Sequence, residues 1–454
     1  MNFVDSLREL LGDEKVSTDA SVLKAHSSDA WLVSEMPEVV VFAQSSEDVC
    51  AVMRLASEKH IPVTTRGSGR GYVGGCVPLK GGIVLSLATM NRIKEISTED
   101  GVIIVEPGVI TARVRDEAQK YGLFYPPDPA SLDSSSIGGN IATNAGGPRC
   151  LKYGVTRNYV LGLAVVLPNG DLVRMGGRTL KNKTGFDVLG LFVGSEGMLG
   201  VITEATLRLI PHPPARAAMV ATFPTAREAA RMVSAIQRAG ILPSALEIAD
   251  AFTLKSARNY VPHVPAGDAF ILLEVDGQAA CVHHEVELLE KLFKECGALN
   301  ILRAEDEEAC KKLWKMRRMF SDSLKATGLK KFNEDVVVPC GKLLDLFDWA
   351  EKTQKTTGAA IACFGHAGDG NIHVNIMVAP DSEIEAYRPL LDSLFGQVLN
   401  WGGAITGEHG IGIAKKRWWP KAASVELRTL HQHFKKTIDP LNILNPGKFL
   451  DADG

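Results

Sequence analysis

Four side chains capable of acid–base and metal chemistry fall in two short stretches of this 454-residue chain. Residues 359–378 read AAIACFGHAGDGNIHVNIMV and carry His366 and His373. Residues 403–412 read GAITGEHGIG and carry Glu408 and His409. Two apolar runs flank Asp369-Gly370, a dipeptide that favours a tight hairpin turn. On one continuous strand, histidines seven apart would face opposite sides. Folded back at Asp369-Gly370, they can lie side by side within reach of one ion. A histidine pair alone is more often two polar rim residues, but a carboxylate and a third imidazole between glycines shift that balance. Two imidazoles and one carboxylate suit a borderline ion such as Zn²⁺ or Mn²⁺, with coordination positions left open. Adjacent strand residues point apart, so Glu408 and His409 can serve one site only if Gly407 and Gly410 let the backbone turn there.

Three glycine-rich stretches occupy the first half. The first is Arg66-Gly67-Ser68-Gly69-Arg70-Gly71-Tyr72-Val73-Gly74-Gly75, and Gly69, Gly71 and Gly74 satisfy GxGxxG after an apolar run. A dinucleotide fingerprint requires a helix to open at that loop, its N-terminus facing the pyrophosphate. Residues 76–82 are too rich in Pro and Gly for that, and a further strand follows at 83–87. Successive backbone N–H groups can still cradle a phosphate, and a plain tight turn is the even alternative. The second stretch, SSSIGGNIATNAGG at 134–147, follows the proline-rich 126–131; the third, GSEGMLGVITE, spans 194–204. Each alone is an ordinary loop. Three in one domain point to a large nucleotide lying across it.

The elements that would position these groups alternate in type. Residues 37–44 form a β-branched strand. Ser45 and the acids Glu47 and Asp48 then predict an N-capped helix with Val49, Val52, Met53 and Ala56 inward. A strand at 61–65 follows, and Val4, Leu7 and Leu11 give a short N-terminal helix one apolar edge. The proline cluster at 211–214 marks a domain boundary. Beyond it, strands at 218–223 and 269–275 alternate with helices at 226–237 and 285–296. This pattern predicts a ferredoxin-like split βαβ unit.

Composition excludes other classes. With 50 basic and 53 acidic residues the net charge is −3, giving no electrostatic footprint for nucleic acid. At 45% hydrophobic and 23% charged the chain is globular, and its 43 glycines exceed the usual ~7%. Eight cysteines without a CxxC pair offer no iron–sulfur or zinc-knuckle ligands. No stretch reaches the ~18 apolar residues of a membrane span. With no secretory or transit signal at the N-terminus, a cytoplasmic location is expected.

RGSGRGYVGG, SSSIGGNIATNAGG, GSEGMLGVITE and Leu444-Asn445-Pro446-Gly447-Lys448 together resemble FAD-linked oxidoreductases of the vanillyl-alcohol oxidase type. The nearer resemblance is to the D-2-hydroxyacid dehydrogenase branch, whose members include D-lactate dehydrogenases, D-2-hydroxyglutarate dehydrogenases and glycolate oxidase FAD subunits. It covers roughly residues 20–452. The resemblance implies an α+β protein: a PCMH-type FAD-binding domain of two subdomains (1–215), a ferredoxin-like cap with the metal site (216–425) and a tail returning to the FAD domain (426–454). The FAD-binding residues it implies are Arg66, Gly67, Ser68, Gly69, Arg70, Gly71, Pro127, Ser135, Ser136, Gly138, Gly139, Ala142, Asn144, Gly146, Glu196, Gly197, Gly200, Ile202 and Asn445. Covalent relatives carry a histidine in the first loop where Arg70 stands here, so FAD is expected to be held non-covalently.

The same resemblance makes His366, His373 and Glu408 the ligands of a divalent Zn or Mn ion and His409 the general base. Asn375 matches a substrate-contacting position. Arg317 or its neighbour Arg318, with Ser321 and Lys330 or Lys331, falls where the family holds the substrate carboxylate, a group arginine pairs with bidentately. The implied reaction is oxidation of a small D-2-hydroxy acid, D-lactate or glycolate favoured, to the 2-oxo acid. The metal acidifies the hydroxyl, His409 takes its proton and the C2 hydride passes to flavin N5. Electrons would then leave to an electron-transfer flavoprotein, a quinone, a cytochrome or an iron–sulfur partner subunit, and a homodimer is left open. A D-2-hydroxyglutarate-type dehydrogenase and a non-catalytic flavoprotein subunit are the alternatives. A metallohydrolase would leave three glycine loops idle.

Overall fold

Ser45 shows how local chemistry starts the architecture. Its hydroxyl accepts the Asp48 N–H at 3.1 Å and caps the helix Ser46–Lys59, which buries Val49, Val52, Met53 and Ala56 as the spacing predicts. That helix is the crossover between Val39–Phe42 and Val63–Arg66, and a crossover of this kind makes strands parallel. The computed structural model describes residues 2–31 and 33–451. It has two compact units. The first comprises 1–146, 155–212 and 408–454, and the second 147–154 and 213–407. The expected boundaries differ from these: the return to the first unit begins at residue 408 instead of 426, and 147–154 joins the second unit. The last three residues of the expected tail, 452–454, lie outside the described ones.

The first unit contains two main sheets. In one, the order is Val16–Ser17, Val39–Phe42, Ile83–Ser86, Val63–Arg66, the last three parallel. The C-terminal segment continues this sheet beyond Val63: Val63 donates to Ile443 O at 2.7 Å, and Asn445 donates to Val63 O at 2.8 Å. The other is antiparallel, ordered Ile93–Ser97, Val102–Val105, Val201–Arg208, Val160–Val166, Leu172–Gly176. The N-terminal helix Phe3–Leu11 buries Leu7 and Leu11.

The second unit is built on one seven-stranded antiparallel sheet. Its spatial order is Asn300–Ala304, Ala215–Phe223, Ala269–Gly277, Ala245–Ala249, Ala360–His366, Asn371–Val378, Lys330–Val337. Counted along the chain, the first four stand fourth, first, third and second, the ferredoxin-like order that alternating strands and helices predict. The hairpin turning at 367–370 extends this sheet and takes Lys330–Val337 on its outer edge. One face buries an apolar cluster that includes Ala249, Ala362, Phe364 and Met377 with Leu313, Trp314 and Phe320 from the helices Glu307–Arg318 and Phe320–Lys325. Directly paired residues share a face, so this register decides which polar groups meet.

Candidate active site

In the first unit the glycine loops converge. A Cβ on Gly67 would stand 2.3 Å from Ser136 Oγ, and one on Gly138 would stand 2.7 Å from Pro107 Cβ, so each glycine backbone sits closer to its neighbour's side chain than another residue would allow. A cavity of about 290 Å³ opens there, lined by Ser68, Ala88, Asn91, Gly108, Ile110, Arg113 and Ser136. Its walls offer hydroxyls, bare backbone and one guanidinium, which fit the phosphates of a dinucleotide. Asn445 ties the C-terminal segment to the first loop by donating from Nδ2 to Gly75 O at 2.9 Å, and its Oδ1 is buried without a hydrogen-bond partner among the described residues. FAD fits this donor set.

Other expected cofactor residues turn out to brace the loops. Arg66 directs its guanidinium to Ser28 O at 2.7 Å and Ala25 O at 3.4 Å. Ser135 bonds Thr111 Oγ1 at 3.0 Å, and Asn144 Oδ1 accepts the Arg157 N–H at 2.9 Å. Ile202 is buried in the second sheet opposite Val165, and a Cβ on Gly200 would meet that valine's Cγ1 at 2.4 Å. Glu196, buried with φ +51°, does the most. Its N–H donates to Ala142 O, its carbonyl accepts from Asn445 Nδ2 at 2.8 Å, and its two carboxylate oxygens accept the Ile411 and Gly412 N–H groups at 2.8 Å each. Burial pushes this carboxyl up, against the two N–H donors that favour its charge. Glu196 thereby fixes the segment that carries His409. The His409 ring is stacked on Tyr72 from the first loop, centroids 5.1 Å apart.

The second unit gathers the other chemistry on one sheet face. The His366 and His373 rings stand edge to face with centroids 5.6 Å apart. The hairpin register pairs Phe364 with His373 and His366 with Asn371, so the histidines are diagonal neighbours across the turn. Asp335, the cross-strand partner of His373, is fully buried; Oδ1 accepts from Asn371 Nδ2 at 2.6 Å, and Oδ2 accepts from Thr406 Oγ1 and Gly407 N at 2.9 Å. Asp335 so ties Gly407 beside the hairpin. Chain continuity sets the next residue, and Glu408, His366 and His373 offer ligand atoms all within 4.8 Å of one another. Two imidazole nitrogens and a carboxylate oxygen at that spacing fit a divalent ion.

Around the histidines, Arg317 is buried while Arg318 is exposed. The Arg317 guanidinium lies 4.8 Å from the Phe364 ring centroid, and its Nε and Nη2 donate to Glu247 Oε2 at 2.7 and 2.6 Å. Burial alone would raise the Glu247 carboxyl; the adjoining His366 ring, the Arg317 guanidinium and the hydrogen bonds from both hold it below the usual range. Asn375, fully buried, donates to Ala362 O at 3.0 Å and keeps Oδ1 without a partner among the described residues. Lys331 donates to Ser321 Oγ at 2.7 Å on this face, and burial pushes its ammonium down to about 8. Lys330, one residue earlier, points to the other side and donates to Ser382 O at 2.8 Å. Sequence reasoning missed Glu247, Asp335 and Tyr72. A lone acid in the apolar strand ALEIA was the one available signal, since a buried carboxylate needs partners.

Residues 37–176 match the family described as FAD binding domain, and residues 212–449 match FAD linked oxidases, C-terminal domain. Glycolate oxidase subunit GlcD of Bacillus subtilis (strain 168) is 36% identical over 454 residues, 99% of this chain and 97% of that protein. D-lactate dehydrogenase of Archaeoglobus fulgidus is 36% identical over 434 residues, 93% of this chain and 95% of that one. Among solved structures, p-cresol methylhydroxylase with substrate bound superposes with a TM-score of 0.79 at 21% identity, covering 99% of this chain and 96% of its own. The chain belongs to the FAD-linked oxidases and has the vanillyl-alcohol oxidase fold. It is an FAD-dependent oxidoreductase. Among the described residues no helix is long and apolar enough to cross a membrane.

Proposed function

We propose that this protein oxidises a small D-2-hydroxy acid, D-lactate or glycolate foremost, to the 2-oxo acid, using non-covalent FAD and a divalent ion held by His366, His373 and Glu408. The observation that carries the reading is the clustering of His366, His373 and Glu408 ligand atoms within 4.8 Å. The names of the relatives, a glycolate oxidase subunit and a D-lactate dehydrogenase, support the substrate class. When bound, FAD supplies the hydride acceptor and the divalent ion the Lewis acidity that lowers the pKa of the 2-hydroxyl.

The chain's own groups do the rest. Arg317 keeps Nη1 for the substrate carboxylate, its other edge being committed to Glu247. Lys331 and Ser321 add a cation and a hydroxyl to that anion site. Asn375 keeps an unfilled Oδ1 acceptor on the same sheet face as His373. His409 takes the hydroxyl proton, and its stacking on Tyr72 holds the ring in one plane. Electrons leave to an external acceptor, so a dye replaces it in vitro.

A panel of D-lactate, L-lactate, glycolate and D-2-hydroxyglutarate with such a dye tests the substrate class; no turnover with any D-2-hydroxy acid or glycolate refutes it. Two variants separate the adjacent roles. Glu408→Gln loses bound metal, with partial recovery in excess ion. His409→Ala keeps metal but reduces flavin roughly 10²–10⁴-fold more slowly, the usual worth of a general base. A His409→Ala protein that reduces flavin at the wild-type rate overturns that assignment.

A further inference from the structure

Glu247 lies outside the predicted site, yet two of the site's side chains converge on it. It sits in the strand Ala245–Ala249, directly opposite His366, with no exposed surface. One carboxylate oxygen is 2.6 Å from His366 Nδ1; the other accepts both Arg317 N–H groups. We infer that Glu247 is a positioning residue that sets the tautomer of His366, leaving its Nε2 bare for the divalent ion, and that Arg317 sets the orientation in which Glu247 does so. This inference rests on the metal reading above.

The argument follows from the donor inventory. An ionised carboxylate only accepts, so the ring nitrogen facing it must carry the proton. His366 therefore donates from Nδ1 and keeps its lone pair on Nε2, in a ring that belongs to one ligand cluster with His373 and Glu408. A carboxylate on the far nitrogen also orients the ring and raises its basicity as a ligand. Arg317 presents donors alone and cannot exchange roles. The sheet makes the arrangement rigid: Glu247 pairs with His366, Ile248 with Gly365 and Ala249 with Phe364. A Cβ on Gly365 would meet Asn371 O at 2.4 Å, so the strand is held close on its other side too.

Glu247→Gln distinguishes tautomer control from simple filling of space, because the amide has the same shape. Arg317 would claim the amide oxygen, and the amide NH₂ would face His366 Nδ1. Nδ1 would then have to accept, the proton would move to Nε2, and the ligand lone pair would be lost. Replacing Arg317 by methionine in the same protein frees the amide to turn its oxygen back to His366.

The test titrates Mn²⁺ into the full-length, FAD-loaded protein and reads free ion by electron paramagnetic resonance. Flavin absorbance and thermal midpoint are recorded for every variant. Glu247→Gln should bind Mn²⁺ roughly 10–100-fold more weakly than wild type. Glu247→Gln/Arg317→Met should regain most of that loss, a rescue that general damage to the core would not produce. Undiminished Mn²⁺ affinity in Glu247→Gln, or a double variant as weak as the single one, overturns the inference. If wild type and His373→Ala alike bind no ion, the metal reading itself has failed and the inference goes with it. Should Glu247→Gln not fold, nitrogen NMR of metal-free wild type decides: protonated Nδ1 and bare Nε2 on His366 sustain the inference, and the reverse tautomer overturns it.

Discussion

Lys331 makes a prediction with a definite pH window. Its ammonium is pushed down to about 8, by burial first and then by the nearby charge of Lys325, with Asp322 opposing, while Ser321 Oγ supplies a neutral hydrogen bond at 2.7 Å. Set against the ordinary 10.5, a folded pKa of about 8 disfavours the charged form by about 3 kcal/mol. The folded pKa is the lower one, so the unfolded chain binds the extra proton between the two values. The cost is complete below pH 8 and is relieved as pH climbs from about 8 to 10.5. In the anion site proposed above, a substrate carboxylate would pair with the charged amine. The charged fraction falls from roughly nine-tenths at pH 7 to roughly one-tenth at pH 9, so affinity for the anion should drop about tenfold over that interval. Lys331→Met removes both effects: weaker binding that no longer falls across this window, and a fold more stable than wild type at pH 7, a common trade at functional sites. Titrating the 2-oxo acid product into the protein at pH 7, 8 and 9, read by the flavin spectrum, measures the first effect; denaturant unfolding measures the second. A wild-type affinity unchanged from pH 7 to 9, a tenfold fall that persists in Lys331→Met, or a variant less stable at pH 7 would refute the reasoning.

Two further predictions concern the flavin unit. Acid precipitation should release all the yellow colour, because the first loop carries Arg70 and not a histidine that could bond the flavin; colour retained by the pellet contradicts non-covalent binding. Glu196→Ala leaves the buried Ile411 and Gly412 N–H groups without acceptors, costing roughly 1–3 kcal/mol for each. Amide hydrogen exchange should then accelerate across 408–412 and stay unchanged in the helix Ser46–Lys59. Equal protection of 408–412 in both proteins would show that the carboxylate does not hold that segment.

Much of this protein was determined by the sequence alone wherever the physics is local. An N-cap hydroxyl three residues from its N–H, as at Ser45, needs no tertiary information. An Asp-Gly turn between apolar runs dictates the hairpin that brings His366 and His373 together. Strands alternating with helices point to the ferredoxin-like order. The glycine loops read as a nucleotide site because missing side chains are visible in any sequence. The groups that orient the site were not legible, because their partners are distant along the chain. Glu247 meets His366 only through a strand pairing 119 residues apart, and nothing local in ALEIA specifies that register. Arg317 over Arg318, and Lys331 over Lys330 as the partner of Ser321, are choices of one residue. In a strand or helix such a shift turns the side chain to another face, and packing across the sheet decides which face is inside. The unit boundary at 408 was decided the same way. Glu196, more than two hundred positions upstream, holds the N–H groups of Ile411 and Gly412, and that buried carboxylate draws the His409 segment into the flavin unit.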